Sequence, residues 1–107
     1  MEVPEEKVKE EGAKGTRVRW LISDKDGAKN FAMRYFEVEP GGYTPRHMHD
    51  WEHEVFILSG EGKVIYEGQE WEIGPGYVVF IPPGKEHCFM NTGREKMVFL
   101  CLIPYKR

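Results

Sequence analysis

All four histidines of this 107-residue chain fall into two short segments, and their spacing is typical of a metal site. His47, His49 and His53 lie close together, and His87 follows in a segment rich in proline and glycine. Neutral imidazole is the commonest protein ligand for first-row transition metals. A lone histidine on an apolar face usually belongs to the core, but four of them with a His-x-His pair favour one bound divalent ion.

The predicted strands indicate how these side chains converge. Residues two apart in a strand point to the same side, so His47 and His49 are expected to project together from a strand over 43–48. His53 has the same parity in the next strand, as do Val55 and Ile57, which we expect to face the interior. The remaining histidine arrives from a distant strand. The second nitrogen of a ligand imidazole usually needs a hydrogen-bond acceptor, for which nearby acidic side chains and backbone carbonyls are candidates.

The elements that must position this site are short strands. From Thr16 onwards, runs rich in β-branched and aromatic residues alternate with Gly, Pro, Asn and Asp. Predicted strands cover 16–22, 30–39, 43–48, 53–59, 62–67, 70–73, 77–81, 86–91 and 96–103. Turn signals separate them, among them Pro40-Gly41-Gly42 and Glu67-Gly68. Many short strands with little helix predict an all-β sandwich or barrel. The charged residues 1–15 are predicted to form an N-terminal arm, and residues 16–107 one domain.

Composition and charge exclude several classes of function. The chain has 15 basic and 18 acidic residues, a net charge of −3, and no basic patch, so nucleic acid is not an expected partner. No apolar stretch is long enough to span a bilayer, and the charged N-terminus lacks the apolar core of a signal peptide. We therefore expect a cytoplasmic protein without a membrane partner. The two cysteines, Cys88 and Cys101, do not suggest a disulfide framework.

Several predicted strands are apolar on both faces, which indicates a partner surface. Residues 55–58, 77–81 and 97–103 show this pattern, whereas a half-exposed antiparallel strand would alternate with polar residues. One face can fill the barrel, and the other also needs cover. A second subunit is the simplest cover, although the N-terminal strands of the same chain are the alternative. We expect a homodimer.

The two histidine segments resemble the two motifs of the cupin superfamily. The first motif is Gly, five residues, His-x-His, three or four residues, Glu, six residues and Gly. This sequence matches it at Gly41, His47, His49 and Glu54. The closing glycine is displaced, with Gly60 one residue early and Gly62 one residue late.

The second motif is Gly, five residues, Pro-x-Gly, two residues, His, three residues and Asn. It matches in full through Gly76, Pro82, Gly84, His87 and Asn91. The two motifs cover about half the chain, and the strand pattern fits the remainder. The resemblance implies the cupin double-stranded β-helix, a jelly-roll barrel.

The fourth ligand is either His53 or Glu54. Most cupins use the glutamate, here Glu54, but adjacent strand residues face opposite sides, and parity favours His53. The histidine-rich run and the ending Phe-Leu-Cys-Leu-Ile-Pro resemble a smaller group, the single-domain manganese cupins of thermophilic bacteria with a four-histidine site. That resemblance implies as ligands His47, His49, His53 and His87. It also implies manganese as the ion, with Fe, Co, Ni, Cu and Zn as alternatives.

Such a site suggests particular chemistry. Four neutral imidazoles leave the 2+ charge uncompensated, so the ion should attract an anionic or enolate-like ligand. Odd parity on the last two predicted strands points four side chains towards the metal, namely Phe89, Phe99, Cys101 and Ile103. They would form an apolar pocket with few polar handles, although ordinary core packing is the alternative interpretation.

No motif for a catalytic nucleophile or a phosphate-binding loop is present in the sequence. Any chemistry would therefore belong to the metal. We predict a metal-dependent oxidoreductase of the dioxygenase type that acts on a small, partly apolar molecule. A non-catalytic metal or small-ligand binding module is the alternative. An isomerase or decarboxylase is less favoured, because such enzymes usually need an acid–base group in the pocket.

Overall fold

The computed structural model describes residues 6–7, 13–46 and 48–105, with the backbone alone for residues 6–7. In these ranges the chain forms nine strands: β1 (Glu6–Lys7), β2 (Lys14–Ile22), β3 (Phe31–Tyr43), β4 (His53–Ser59), β5 (Gly62–Tyr66), β6 (Gln69–Ile73), β7 (Val78–Ile81), β8 (His87–Asn91) and β9 (Met97–Pro104). A single 3-10 turn over Asp24–Asp26 joins β2 to β3. The prediction of an all-β protein is confirmed. Within the same ranges, no helix is long and apolar enough to cross a membrane.

The strands form one antiparallel sheet that curls on itself. Its order is β6-β5-β8-β3-β9-β4-β7, and β2 pairs with β3 and β1 outside this path. The long strand β3 causes the curl, because Phe31 to Val38 pair with β9 whereas Tyr43 pairs with Met90 of β8. The side chains that fill the interior are Val38, Val55, Ile57, Val64, Ile73, Ile81, Phe89, Met97, Phe99 and Cys101.

Strand β4 alternates strictly between the interior and the outside. His53, Val55 and Ile57 are buried, and the residues between them are exposed. Glu54 therefore faces outwards, next to Phe80 of the neighbouring strand β7. This is the orientation that the two-residue period predicts for an extended strand.

Two predictions about the segment before β4 were wrong. Pro40-Gly41-Gly42 does not form a turn but belongs to β3, where a register shift separates the pairs Thr16↔Val38 and Lys14↔Tyr43. Gly41 has a φ of 79°, which lets the strand bulge without ending. The predicted strand over 43–48 is absent, because β3 ends at Tyr43 and the described residues of 44–52 form no strand.

The displaced glycine of the first motif corresponds to two glycines with different roles. Gly60 has a φ of 82° in the turn after β4, a conformation that costs glycine little. Gly62 begins β5, and a Cβ atom there would collide with the carbonyl of Met90 and the sulfur of Met97. Gly60 therefore turns the chain and also lets it pass close to the backbone of Lys96 and Met97, and Gly62 lets β5 approach its neighbours closely.

The predicted N-terminal arm is partly integrated into the sheet. Within residues 1–15, Glu6 and Lys7 pair with Val18 and Arg17 of β2. Strand β2 itself begins at Lys14, two residues before the predicted start of the domain. Residues 1–5 and 8–12 lie outside the described ranges.

Candidate metal centre

Three of the four predicted histidine ligands have their rings close together at the barrel interior. The ring centroid of His53 lies 5.4 Å from that of His49 and 4.8 Å from that of His87. Both His53 and His87 are buried, with 4% and 6% of their surface exposed. His47, the fourth predicted ligand, lies outside the described residues.

Different parts of the fold bring these rings together. His53 and His87 are the first residues of β4 and β8, two strands that do not pair with each other. His49 lies in the connection between β3 and β4, and its carbonyl accepts a 2.7 Å hydrogen bond from the Gly84 N–H. The His49 ring also stacks on Trp51, with centroids 4.2 Å apart. The Pro82-Pro83-Gly84 turn of the second motif thus anchors the connection between β3 and β4, which carries His49 of the first motif.

The same connection is also fixed at its start. The Thr44 N–H donates to the Phe89 carbonyl at 2.9 Å, and the Phe89 N–H donates to the Thr44 hydroxyl at 2.8 Å. Although residues 44–46 and 48–49 form no strand, these two hydrogen bonds tie Thr44, the first of them, to β8. The parity argument for His49 therefore rested on an absent strand, and tertiary hydrogen bonds orient this histidine instead.

The hydrogen bonding of His87 fits a ligand role. Its Nδ1 lies 3.0 Å from the Lys85 carbonyl oxygen. A carbonyl only accepts hydrogen bonds, so Nδ1 carries the proton and the lone pair of the neutral ring is on Nε2. A backbone carbonyl in this position commonly fixes the tautomer of a metal-binding histidine.

The ring separations also suit a shared ion. Two imidazoles bound to one ion at about 2.1 Å have ring centroids roughly 4.6 to 5.3 Å apart for interligand angles between square and tetrahedral. The observed separations of 4.8 and 5.4 Å are close to this range. With His47 left aside, no three His, Cys, Asp or Glu side chains among the described residues form a group with complete metal-binding geometry. The three described histidines therefore match a metal site in the type of donor and approximately in ring spacing, but not in complete geometry.

Glu54, the alternative fourth ligand, is on the opposite face of the sheet from His53. It is exposed and lines an outer groove with Phe56, Val78 and Phe80. Because neighbouring strand residues point to opposite faces, Glu54 cannot reach the histidine cluster without breaking the β4 pairing with β7 and β9.

The four predicted pocket residues lie on the interior side of β8 and β9. Phe89, Phe99 and Cys101 are at most 4% exposed, and Ile103 is half-buried at the edge of the core. Phe99 stacks between Phe36 and Phe89, with ring centroids 5.1 and 4.9 Å away. The Phe89 ring in turn lies 6.3 Å from the His87 ring. An aromatic stack therefore runs from the core to the histidines.

Sequence reasoning missed Arg34, which gives this apolar region a charged group. Its guanidinium Nη2 lies 3.1 Å from the Cys101 sulfur, and its charge lies 4.9 Å from the centre of the Phe36 ring. Burial raises the pKa of the Cys101 thiol above its ordinary value, and the nearby Arg34 opposes this shift. The signal was present in β3, where Ala32, Arg34, Phe36 and Val38 share one parity.

Comparison with known proteins agrees with this architecture. The family Cupin_2: Cupin domain matches residues 34–103. The solved structure of a polyketide cyclase from Streptomyces resistomycificus is 42% identical, covers 99% of this chain and 76% of its own, and superimposes with a TM-score of 0.92. An oxalate-binding protein of Thermotoga maritima is 32% identical over 86% of this chain and 78% of its own length.

A further relative, the 1-methylthio-D-xylulose 5-phosphate methylsulfurylase of Rhodospirillum rubrum, is 35% identical over 70% of this chain. The match covers 48% of that protein, so this chain spans about half the length of that relative. The family match, the similar structures and the curled antiparallel sheet confirm the predicted jelly-roll fold. This chain belongs to the cupin family.

Proposed function

We propose that this cupin binds one divalent transition metal through His47, His49, His53 and His87, and uses it on a small, partly apolar substrate. The convergence of three histidine rings at the barrel interior carries the proposal. His47 joins the set on sequence grounds, as the first histidine of the His-x-His pair. Manganese is the proposed ion, with Fe, Co, Ni, Cu and Zn as alternatives.

When bound, such an ion supplies Lewis-acid polarisation of a substrate oxygen and, if it is redox-active, a site for oxygen chemistry. The residues of the protein orient the ligands and shield the site. The Lys85 carbonyl holds the proton on His87 Nδ1, and the stacked rings of Phe89 and Phe99 exclude water from one side of the site. Exclusion of water strengthens the electrostatic interactions within the site.

Two classes of reaction are compatible with this site. The similarity to a polyketide cyclase favours Lewis-acid chemistry on a carbonyl or enolate, without a change of oxidation state. The open 2+ charge of a four-histidine site also suits the dioxygenase-type oxidation expected from the sequence. The similarity to an oxalate-binding protein supports the alternative of a non-catalytic module that binds a small ligand.

The metal site is tested by metal analysis of protein purified without an affinity tag. We expect close to one equivalent of a transition metal in the wild type and in Glu54→Ala, and a large loss in His53→Ala. The two variants are a matched pair, because the residues are adjacent but face opposite sides of β4. Loss of metal in Glu54→Ala but not in His53→Ala would contradict the assignment of the fourth ligand.

Exchange of the ion separates the reaction classes. Zinc has no accessible redox chemistry, so a Lewis-acid reaction survives in the zinc-loaded protein, whereas an oxygen-dependent oxidation requires manganese or iron. The assay follows oxygen uptake and product formation with a panel of small β-dicarbonyl and aromatic substrates. Complete metal loading without turnover of any substrate would favour the binding module.

We also propose that the chain forms a homodimer through its outer face. Phe56, Val78 and Phe80 lie together on β4 and β7 and are 40%, 76% and 56% exposed. A second copy would remove this apolar patch from water. Sedimentation equilibrium should show a dimer that Phe80→Glu dissociates and that Trp71→Glu, at an equally exposed position on β6, leaves intact. A monomeric wild type would contradict the proposal.

A further inference from the structure

Arg34 is a cation without a counter-ion in the described part of the chain. Its hydrogen bond goes to the sulfur of Cys101, 3.1 Å away, and its guanidinium lies between two rings, 5.4 Å from the centre of Trp20 and 4.9 Å from that of Phe36. The Nε atom is buried without a hydrogen-bond partner, and no described carboxylate forms an ion pair with the side chain.

These contacts stabilise the guanidinium charge of Arg34 only weakly and give its N–H donors no strong acceptor. A guanidinium has five N–H donors, and a neutral thiol is a weak acceptor. Aromatic faces attract a cation but accept no strong hydrogen bond. Because burial keeps the Cys101 thiol neutral, that residue does not supply the missing negative charge. The strong partner of arginine in proteins is a carboxylate or phosphate, which its planar fork binds through two parallel hydrogen bonds.

Arg34 lies two strands away from His53 of the proposed metal centre and faces the same side of the sheet. Arg34 pairs with Cys101, and Cys101 pairs with Val55 on the other side of β9. His53 precedes Val55 by two residues and faces the same interior. With strands about 4.8 Å apart and a rise of about 3.3 Å per residue, the Cα atoms of Arg34 and His53 are roughly 12 Å apart across the same face. Arg34 and His53 therefore face the same interior from two different strands.

We propose that Arg34 binds the carboxylate of a small aromatic or apolar acid, whose body lies against Phe36, the partly exposed end of the aromatic stack, and whose other end points to the histidines. The stack begins at the ring that contacts the guanidinium and ends beside His87. This inference rests on the proposed function only in that it names the substrate class of that site. The pairing of Arg34 with the ligand itself requires no metal.

Calorimetric titration with benzoate and with its uncharged analogue benzamide tests the inference, on the purified protein and on chelator-treated protein. The variants are Arg34→Gln, which removes the charge, and Arg34→Lys, which keeps it without the planar fork. Arg19→Gln is the matched control. Arg19 lies on the neighbouring strand β2, where its pairing with Tyr35 places it on the opposite face, and it forms an ion pair with Glu37.

We expect the wild type to bind benzoate more tightly than benzamide, with or without chelator. Arg34→Gln should weaken benzoate binding about 10- to 100-fold, the usual contribution of hydrogen bonds to a charged group, and should abolish the preference over benzamide. Arg34→Lys should retain part of the preference, and Arg19→Gln should retain all of it. Thermal denaturation of each variant checks that it is folded.

Three results would overturn the inference. One is equal binding of benzoate and benzamide to the wild type, a result that needs no variant. Another is benzoate binding that survives in Arg34→Gln but disappears with chelator, because the anion would then bind the metal and the proposed function would stand alone. The third is loss of thermal stability in Arg34→Gln and Arg34→Lys without a change in the benzoate preference. Conversely, a protein that binds no metal but keeps Arg34-dependent benzoate binding would refute the metal proposal alone.

Discussion

Asn91, the last residue of the second cupin motif, is expected to stabilise the fold rather than to act in the site. Its side chain is 3% exposed and uses both amide N–H donors and its carbonyl oxygen in hydrogen bonds at one junction. The Nδ2 group donates to the carbonyls of Val38 at 2.8 Å and Glu95 at 2.7 Å, and Oδ1 accepts from the Gly93 N–H at 2.9 Å. Val38 is the residue at which the pairing of β3 with β9 ends. Asn91 therefore supplies the hydrogen bonds that the sheet lacks where β3 bulges.

The loss of stability on removing the Asn91 side chain follows from its three hydrogen bonds. Each hydrogen bond contributes about 1 kcal/mol net, so Asn91→Ala should lower the free energy of unfolding by about 3 kcal/mol. Asn91→Asp has almost the same shape but places a carboxylate oxygen against the two carbonyls that Nδ2 now binds. It should cost more than Asn91→Ala at neutral pH, and part of the loss should be recovered in acid, where the protonated carboxyl donates one hydrogen bond.

Urea unfolding followed by fluorescence and circular dichroism measures these changes. Thr92→Ala is the control, because the neighbouring side chain is exposed and its loss should change the unfolding free energy by no more than about 0.5 kcal/mol. The metal content of folded Asn91→Ala should match that of the wild type. If Asn91→Ala lowers the free energy of unfolding by less than about 1 kcal/mol, the reasoning from these hydrogen bonds is refuted. The same holds if Asn91→Asp is more stable than Asn91→Ala at neutral pH.

Other substitutions probe the core, the close packing at β5 and the buried thiol. Phe99→Ala should lower the free energy of unfolding by about 3 to 5 kcal/mol, because it empties the centre of the aromatic stack, whereas the exposed Phe31→Ala should change it little. Gly62→Ala should cost about 1 to 3 kcal/mol because its Cβ collides with β8 and β9, and Gly74→Ala, where a Cβ meets nothing, is its control in thermal denaturation. The raised pKa of Cys101 means that the folded state holds the thiol proton more tightly than the unfolded state. Stability should therefore fall as pH rises above about 8.5, and this part of the decline should vanish in Cys101→Ala; an unchanged pH dependence in that variant would contradict it.

Much of the barrel could be predicted because period and turn chemistry are local. The strand over 53–59 was predicted with the bounds of β4, and most other predicted strands differ from the observed ones by one or two residues. The Glu67-Gly68 turn between β5 and β6 has the two positive φ values, 49° and 80°, that a tight hairpin needs. The error at Pro40-Gly41-Gly42 arose because the same residues that form turns also form bulges, and pairing with β2 decides between them.

The orientation of a site residue could be predicted where the residue lies in a strand, and less well where it lies in a loop. Burial of His53 and exposure of Glu54 followed from parity, because both lie inside β4. His49 is oriented by the hydrogen bond from Gly84, a residue 35 positions later, which local periodicity does not encode. Arg34 was missed because an arginine in a strand usually faces water, although its parity in β3 pointed inwards and its contacts with Cys101 and Phe36 show that it does face inwards.

The sequence by itself determined the family, the all-β architecture and the set of histidines, because residue type, spacing and the two-residue period are properties of the chain alone. Only the tertiary structure decided how His49 meets His53 and His87, and that Arg34 enters the same interior. Both depend on contacts between strands distant in sequence, where β3, β8 and β9 close the barrel and loop geometry is set by tertiary hydrogen bonds. Residue spacing along one strand contains no information about which other strand will lie beside it.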